Sequence, residues 1–495
     1  MSHVLAFDQG TTSSRALLFD LQGEPSRLAQ KELTQHYPQP GFVEHDPDEI
    51  WRSQLTVAEQ VMRAAVGDGH TVQAIGITNQ RETAVVWDKA TGEPIHRAIV
   101  WQDRRTASVC DRMKADGLSN FVREKTGLEL DPYFSAAKIA WLLDHVDGAR
   151  ERAERGELCF GTIDSWLLYK LTAGAVHATD ATNASRTSLY DLHKGRWSDG
   201  LCDLFSVPRA MLPEVRDTAT QFGEVAIDGP LKGLPITALV GDQQSATFGQ
   251  SCRSPGLAKN TYGTGCFLLA HIGDEPRVSQ HRLLTTVAWQ LEGRREFAFE
   301  GSVFIGGAVV QWLRDGLGVI QSSEEIEPLA RSVEDTGGVV LVPAFAGLGA
   351  PHWDPHARGS ISGITGGTTK AHLARAALEA IAFQVADLAD AAAADAGSRL
   401  ASLRVDGGAV VNDLLLQMQA DFGRFEVDRP AVTETTALGA AFLAAVGAGL
   451  RPASEVTERR SERVFRPELS DDEAVARRAL WSRAIERARD WTRGD

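Results

Sequence analysis

A glycine-containing turn near the start of the sequence has the composition of a phosphate-binding loop. An apolar run ends at Asp8, and Gly10 and several hydroxyl side chains follow before Arg15. Backbone N–H groups in a tight turn form an anion-binding nest, and hydroxyls and an arginine add donors. Asp8 offers the carboxylate oxygen that divalent cations prefer. An ordinary polar hairpin turn with an aspartate at its base is the alternative interpretation.

Two further glycine-rich segments lie in the second half of the sequence. Residues 262–266 read Tyr-Gly-Thr-Gly-Cys, and paired with the first turn they predict a clamp on a polyphosphate. Residues 405–412 predict a strand, a glycine pair and a helix start, where a flat ring can approach the backbone and Asn412 can bind a base or ribose. The alternatives are a close-packed hairpin for the former and a tight turn with Asn412 facing solvent for the latter.

A different set of side chains suits a hydroxyl-bearing substrate. Asp242 follows an apolar run, and a carboxylate there can accept a proton from an attacking hydroxyl, or it can simply cap the next helix. Arg81 and Glu82 are adjacent, so they converge on one small polyol only if they lie on a loop rather than in a strand. Their alternative is a surface ion pair. Tyr133 adds an aromatic ring with a polar group, or a core tyrosine.

The common nucleotide-binding and metal motifs are missing. The sequence contains no GxxxxGK[ST], GxGxxG or HExxH pattern, which removes the main support for P-loop, Rossmann and zinc-protease interpretations. The formal net charge of −15 argues against a nucleic-acid partner. The five cysteines form no CxxC pair, which favours a reduced compartment.

The elements that position these residues alternate between short apolar runs and helical patterns, which predicts an α/β protein. The strand at 236–240 and the hairpin loop at 260–267 resemble the opening of the chain, so we predict a weak internal duplication. Long helices are predicted over 368–395 and 471–491, and a tightly packed internal helix over 435–450. We expect no signal peptide and no membrane span, and a cytoplasmic location.

Segments spread in order over nearly the whole chain carry a family resemblance. They read FDQGTTSSR (7–15), HYPQPGFVEHDP (36–47), GITNQRE (76–82), IVWQDRR (99–105), TGLELDPYFSAAK (126–138), TNASRT (182–187), GDQQSA (241–246), NTYGTGCF (260–267), GAPHWDP (349–355) and RVDGGAV (404–410). Together they resemble the FGGY family of carbohydrate kinases, and within it the members that phosphorylate glycerol.

The resemblance implies two actin-like, ribonuclease-H-like domains, 1–246 and 247–495, around a central cleft. It implies transfer of a phosphoryl group from ATP to glycerol, giving sn-glycerol 3-phosphate and ADP in glycerol catabolism. It also implies Mg²⁺ as cofactor and a homodimer or homotetramer. Another polyol or sugar as acceptor is the alternative, and a nucleotide-dependent scaffold is a rival from a different class.

The resemblance also implies individual roles. Asp242 would be the general base, and Asp8 would help place Mg²⁺. The residues that would hold glycerol are Arg81, Glu82, Tyr133, Asp242 and Gln243, with Trp101 and Phe267 as an apolar wall. The residues that would contact ATP or ADP are Thr11, Thr12, Ser13, Arg15, Thr264, Gly307, Gln311, Gly408 and Asn412.

The sequence departs from the family pattern in regions that bear on regulation. Residues 226–235 read AIDGPLKGLP, a short segment without arginine, so we expect no control by fructose 1,6-bisphosphate. Residues 214–229 contain no histidine, so we expect no activation by histidine phosphorylation. His352 stands where the family commonly has tyrosine, and nothing in the sequence explains that change.

Overall fold

A computed structural model describes residues 2–456 and 460–492. Strands and helices alternate along these residues, and most of the strands belong to two mixed sheets that lie in the two halves of the chain. The predicted α/β class with two sheet-based domains is therefore confirmed. Within the described residues, no helix is both long and apolar enough to cross a membrane.

The first half of the chain supplies the first sheet and the helices around it. Its strands are β1 (Ser2–Gln9), β2 (Ser13–Asp20), β3 (Pro25–Glu32), β4 (Glu44–His45), β5 (Thr71–Asn79), β6 (Val85–Asp88), β7 (Ala98–Ile99), β8 (Leu158–Gly161), β9 (Ala178–Asp180), β10 (Tyr190–Asp191), β11 (Arg196–Trp197), β12 (Glu214–Arg216), β13 (Ala219–Glu224) and β14 (Pro235–Gly241). Its helices are α1 (Pro47–Gly67), α2 (Ala107–Ala115), α3 (Ser119–Thr126), α4 (Ser135–His145), α5 (Ala149–Glu154), α6 (Ile163–Leu171), α7 (Ala181–Ala184), α8 (Asp199–Phe205) and α9 (Asp242–Gly249).

The second half supplies the second sheet. Its strands are β15 (Leu257–Tyr262), β16 (Cys266–Gly273), β17 (Leu284–Leu291), β18 (Arg294–Val303), β19 (Val340–Val342), β20 (Ser360–Ser362), β21 (Ser402–Asp406), β22 (Glu426–Pro430) and β23 (Ser461–Phe465). Its helices are α10 (Ala308–Gln311), α11 (Ile326–Arg331), α12 (Lys370–Ala396), α13 (Asp413–Gly423), α14 (Thr435–Gly447) and α15 (Asp471–Ala488). The predicted long helices are thus present, and the last ends at Ala488, earlier than the predicted 491.

The two sheets share one connection pattern. The first has the order β13-β14-β5-β1-β2-β3, and the second has the order β17-β18-β16-β15-β21-β22-β23. In each, an opening strand pairs antiparallel with the next strand and parallel with a later one: β1 with β2 and β5, and β15 with β16 and β21. This repetition supports the predicted internal duplication.

The sequence analysis placed the start of the second repeat wrongly. The strand predicted at 236–240 pairs parallel with β5, so it belongs to the first sheet. The strand that corresponds to β1 is β15. The error arose because β14 is also followed by an aspartate and a polar segment, a local likeness that does not determine which strand lies beside it.

Helix α14 joins the two halves through close backbone packing. It contacts α9 and the first-sheet strands β1, β5 and β14. A Cβ added at Gly439 would lie 1.9 Å from the Ser245 carbonyl oxygen, so only glycine allows the helices to come this close. This confirms the tightly packed internal helix predicted over 435–450, which ends at Gly447 in the structure.

Candidate active site

The first predicted phosphate loop is the turn between β1 and β2. Gly10 N–H donates to the Ser13 carbonyl at 2.9 Å, which closes the turn, and the hairpin register sets Asp8 opposite Arg15. The Arg15 guanidinium forms an ion pair with Asp8 and donates from Nη1 to Glu434 Oε2 at 2.6 Å. The nearby Asp8 carboxylate raises the pKa of Arg15 above its usual value. Thr12 is exposed at the tip of the turn, where its hydroxyl is accessible.

Neighbouring segments hold this turn in place. Gln80, directly after β5, donates from its side chain to Gln9 Oε1 at 3.1 Å and to the Gly10 carbonyl at 3.2 Å. Trp101 Nε1 donates to Thr11 Oγ1 at 2.9 Å, which ties the first hydroxyl of the turn to the proposed apolar wall. The turn is therefore a supported structure rather than a free surface hairpin.

The second loop joins β15 to β16 and packs against a pair of glycines. Gly306 N–H donates to the Thr264 carbonyl, and Gly307 N–H to the Gly263 carbonyl, both at 2.8 Å. A Cβ at Gly307 would lie 2.7 Å from the Gly263 oxygen. Close strand packing, the alternative for this loop, therefore does occur. Thr264 remains exposed at the tip.

A cavity of about 380 Å³ lies beside this second loop. All the second-half residues predicted to contact nucleotide line it: Thr264, Gly307, Gln311, Gly408 and Asn412. Its remaining walls are largely apolar and include Val310, Ile326, Leu378, Ile381, Val411 and Leu415. An apolar cavity with a few polar groups at its rim suits a flat heteroaromatic ring.

Asn412 has a structural role that the sequence analysis did not predict. Its Oδ1 accepts the Leu415 N–H at 2.8 Å and caps α13, and the residue is buried, so the solvent-facing alternative is wrong. The cap uses Oδ1, and the two N–H donors of the side-chain amide can bind a ligand.

Arg81 and Glu82 lie on a turn that follows β5, as their convergence requires. Glu82 has a left-handed backbone with φ of 61°, uncommon for a residue other than glycine. Both side chains are buried, which rules out the surface ion pair. Arg81 Nε lies 3.2 Å from Asp242 Oδ1, which brings the predicted base beside two of the residues predicted to hold glycerol.

Asp242 is the first residue of α9, and the N-cap position belongs to Gly241. The predicted alternative, in which Asp242 only caps the helix, is therefore wrong. Its Oδ1 accepts the Gln243 N–H at 2.7 Å, and 28% of the side chain is exposed. Burial raises the pKa of Asp242 to about 6, the cations Arg81 and Lys259 oppose that rise, and Glu82 adds to it. Such a carboxyl is ionised at neutral pH yet basic enough to accept a proton.

Aromatic rings enclose one side of this cluster. Trp101 packs edge-on against Tyr133 at 5.7 Å between ring centroids, and against Phe267 at 6.2 Å. Burial raises the pKa of Tyr133, so its hydroxyl keeps its proton and can donate a hydrogen bond. The three rings thus connect the two predicted hairpin loops with the cluster of Arg81, Glu82 and Asp242.

Sequence reasoning missed three charged side chains in this region. Lys259, on β15, is buried, and its ammonium contacts Gln243 Oε1 and donates to Thr261 Oγ1 at 2.8 Å. Arg186 and Glu300 are also fully buried and form ion pairs with Glu82 and Arg81. Arg186 lies in the quoted TNASRT segment, whereas no local pattern distinguishes Lys259 or Glu300.

Comparison with known proteins agrees with the family resemblance seen in the sequence motifs. The N-terminal domain model of the FGGY family of carbohydrate kinases matches residues 3–249, and the C-terminal domain model matches residues 258–448. A glycerol kinase of Rhodopirellula baltica is 59% identical over 99% of this chain and 91% of that protein. A glycerol kinase of Deinococcus radiodurans is 57% identical over 99% of this chain and 98% of that protein.

Solved structures agree with this. The crystal structure of Plasmodium falciparum glycerol kinase with ADP superposes with a TM-score of 0.93 at 35% identity, covering 99% of this chain and 98% of that one. Xylulose kinase from Lactobacillus acidophilus, at 21% identity, has a TM-score of 0.86 over 98% of this chain and 97% of that one, and shows the shared fold alone. The predicted actin-like, ribonuclease-H-like fold is thereby confirmed.

Proposed function

The chain belongs to the FGGY family of carbohydrate kinases, and we propose that it transfers the γ-phosphoryl group of ATP to glycerol, giving sn-glycerol 3-phosphate and ADP. The observation that carries the proposal is the contact between a buried arginine–glutamate pair and a partly exposed carboxyl: Arg81 Nε lies 3.2 Å from Asp242 Oδ1. The identity to curated glycerol kinases over 99% of the chain supports glycerol as the acceptor.

The acceptor site is the group of residues proposed to bind and orient glycerol, and its members have separate roles. Arg81 donates to the glycerol hydroxyls and Glu82 accepts from them, while Tyr133 and the Gln243 side chain add hydrogen bonds. Trp101 and Phe267 cover the carbon backbone. Asp242 accepts the proton of the terminal hydroxyl as that oxygen attacks the γ-phosphorus, and ADP leaves on the opposite side.

The nucleotide is held from both halves of the chain. Thr11, Thr12, Ser13 and Arg15 bind the phosphates on one side, and Thr264 binds them on the other. Gly307 and Gln311 also contact the nucleotide, and Gly408 and Asn412 lie nearer its adenosine end; all four line the cavity of about 380 Å³. Closure of the cleft over both substrates excludes water, which would otherwise hydrolyse ATP.

Asp8 is the residue we assign to Mg²⁺. In the described part of the chain, no cluster of three or more acidic, histidine or cysteine side chains could hold a metal. Mg²⁺ is commonly bound by one or two carboxylates together with substrate phosphates and water, so one carboxylate at the base of a phosphate loop fits it. When bound, the ion neutralises charge on the β- and γ-phosphate oxygens.

Three further assignments complete the proposal. The two domains are residues 1–246 and 247–495, with the boundary in α9, between the strands of the two sheets. The enzyme acts in the cytoplasm, an assignment supported by five cysteines that are all buried and that form no disulfide in the described residues. It acts as a homodimer or homotetramer, as the family resemblance implies, and light scattering of the purified protein tests this.

ADP release from Mg-ATP is the direct test, with glycerol, erythritol, xylulose, ribulose or no acceptor. We expect turnover with glycerol and loss of turnover in Asp242→Asn. The matched control is Asp199→Asn, because Asp199 is also the first residue of a helix, α8, but its side chain is 90% exposed. Turnover with another polyol would replace glycerol as acceptor. ATP binding without acceptor-dependent turnover would overturn the kinase proposal in favour of a scaffold.

A further inference from the structure

A buried carboxylate from the second sheet holds the arginine of the acceptor site. Glu300, on β18, is fully buried, and its two oxygens accept from both terminal nitrogens of Arg81: Nη1 to Oε2 at 2.6 Å and Nη2 to Oε1 at 2.9 Å. Such a two-bond contact fixes the plane of a guanidinium as well as its position. Arg81 Nη1 also donates to Gln244 Oε1 at 3.2 Å, and Nε of the same guanidinium lies 3.2 Å from Asp242 Oδ1.

A second buried arginine holds the glutamate of the acceptor site. Arg186 Nε donates to Glu82 Oε1 at 2.6 Å, and its Nη2 donates to Glu300 Oε1 at 2.9 Å. Its guanidinium carbon lies 5.7 Å from the Tyr133 ring centroid. Arg186 thereby fixes the position of the Glu82 carboxylate, whose second oxygen can receive substrate hydroxyls.

The charges of this cluster balance. Arg81 and Arg186 carry two positive charges, and Glu82 and Glu300 carry two negative ones. Burial opposes ionisation of Glu300, but Arg186 and Arg81 more than offset it and lower the pKa of Glu300 to about 2. Removing one member therefore leaves a buried charge uncompensated, and its neighbours must move.

We propose that Arg186 and Glu300 are positioning residues for the acceptor site, which act by fixing Glu82 and Arg81 in the arrangement that selects glycerol. The inference rests on the proposed function. Neither side chain is assigned a contact with substrate. Because Glu300 comes from the second sheet while Arg81, Glu82 and Arg186 come from the first half, the acceptor site is complete only when both halves are packed together.

The test compares steady-state kinetics of the wild type with Glu300→Gln, Glu300→Asp and Arg186→Lys. We expect the glycerol KM to rise roughly tenfold to hundredfold in Glu300→Gln and Arg186→Lys, because small misplacements of binding groups have effects of that size. The KM for ATP should not change. Glu300→Asp should recover part of the loss, since it restores the charge on a shorter side chain.

Glu379→Gln is the matched control. Glu379 is likewise a buried carboxylate between two arginines, with Arg477 Nη1 at 3.1 Å and Arg375 Nε at 3.5 Å, but it joins α12 to α15 away from the acceptor cluster. Its loss should lower thermal stability without changing either KM. Mg-ADP titration measures the fraction of active enzyme separately. Partial unfolding lowers the apparent kcat through that fraction, but it does not affect the comparison of KM values.

A double-mutant cycle separates positioning from general damage. If Glu300 acts through Arg81, the glycerol KM of Arg81→Lys/Glu300→Gln should be close to that of Arg81→Lys alone. Additive effects, or an unchanged glycerol KM in a folded Arg186→Lys variant, would overturn the inference. If Glu300→Gln does not fold, Arg186→Lys decides the question, because it keeps the charge. Failure of the wild type to phosphorylate glycerol would instead overturn the proposed function, and the inference with it.

Discussion

The carboxyl of Asp242 lies among charges of both signs. Arg81 and Lys259 favour its ionised form, whereas burial and Glu82 favour the protonated form, and the balance raises its pKa to about 6. A proton acceptor is most effective when its pKa is near the working pH. At the residue scale, the pKa of this carboxyl is thus set by neighbours from two other segments of the chain, the turn after β5 and strand β15.

The value predicts how activity depends on pH. Because the ionised carboxylate is the active form, kcat/KM for glycerol should fall as the pH decreases through about 6 in the free enzyme. In Lys259→Met, which removes a cation that lowers this pKa, the acid limb should move to higher pH. Profiles of kcat/KM between pH 5 and 8 measure the acid limb in the wild type and in Lys259→Met. An acid limb at the same pH in Lys259→Met would contradict the assignment.

The raised pKa of Asp242 should also make the protein less stable as the pH increases, whereas activity increases with pH. Its folded-state pKa of about 6 lies above the ordinary value of 3.8, so the folded protein binds the proton more tightly and loses stability as the pH rises between these values. Asp242→Asn removes this cost and should be more stable than the wild type above pH 6, with the gain disappearing below pH 4. Urea unfolding at pH 4 and pH 8 tests the sign, and Asp199→Asn, on the exposed start of α8, should show no such gain.

Elements carry function here mainly at their ends. The proposed phosphate loop joins β1 to β2, the proposed base Asp242 is the first residue of α9, and Asn412 caps α13 from within the cavity wall. Helix and strand ends offer backbone groups without partners inside the element, so side chains at these ends meet ligands and backbone together. Asn412 caps α13 with its side-chain oxygen, and we propose that its amide nitrogen contacts the nucleotide.

Substitution at Asn412 should separate these two uses. Asn412→Asp keeps an oxygen that accepts the Leu415 N–H, so the free energy of unfolding should change little, but the amide donor is lost and ADP should bind more weakly. Asn412→Ala should lose both the cap, at about 1 kcal/mol, and the ADP contact. Calorimetric titration with Mg-ADP and thermal unfolding measure the two effects. Equal ADP affinity in Asn412→Asp would remove Asn412 from the nucleotide site.

At the scale of the whole molecule, the described residues form two sheet-based halves joined at several levels. Helix α14 packs on α9 and on the first sheet, and Glu300 reaches from the second sheet to Arg81. Arg15, on the rim of the phosphate loop, contacts Glu434, which directly precedes α14. This last pair is partly exposed, so it contributes little to stability and can exchange for a ligand.

The Arg15–Glu434 pair should compete with phosphate. Glu434→Gln frees one terminal nitrogen of Arg15 and removes a negative charge near the loop, so the KM for ATP should fall roughly twofold to fivefold, the size expected for a partly exposed ion pair. The glycerol KM should not change. Glu59→Gln removes one charge from an ordinary helical pair with Arg63 on α1 and serves as control. A higher KM for ATP in Glu434→Gln would show that Glu434 assists nucleotide binding.

The sequence by itself determined the local features of this protein. Glycines and hydroxyls fix the two hairpin loops, the alternation of apolar runs fixes the α/β class, and the ordered motifs identify the family, because each depends on neighbouring residues. Only the tertiary structure decided that β14 belongs to the first sheet, that Asn412 caps α13, and that Arg186 and Glu300 form buried ion pairs with Glu82 and Arg81. Arg81 and Glu300 are 219 positions apart, and Glu82 and Arg186 are 104 apart. Such pairings depend on how the sheets pack, which no local pattern of residue types records.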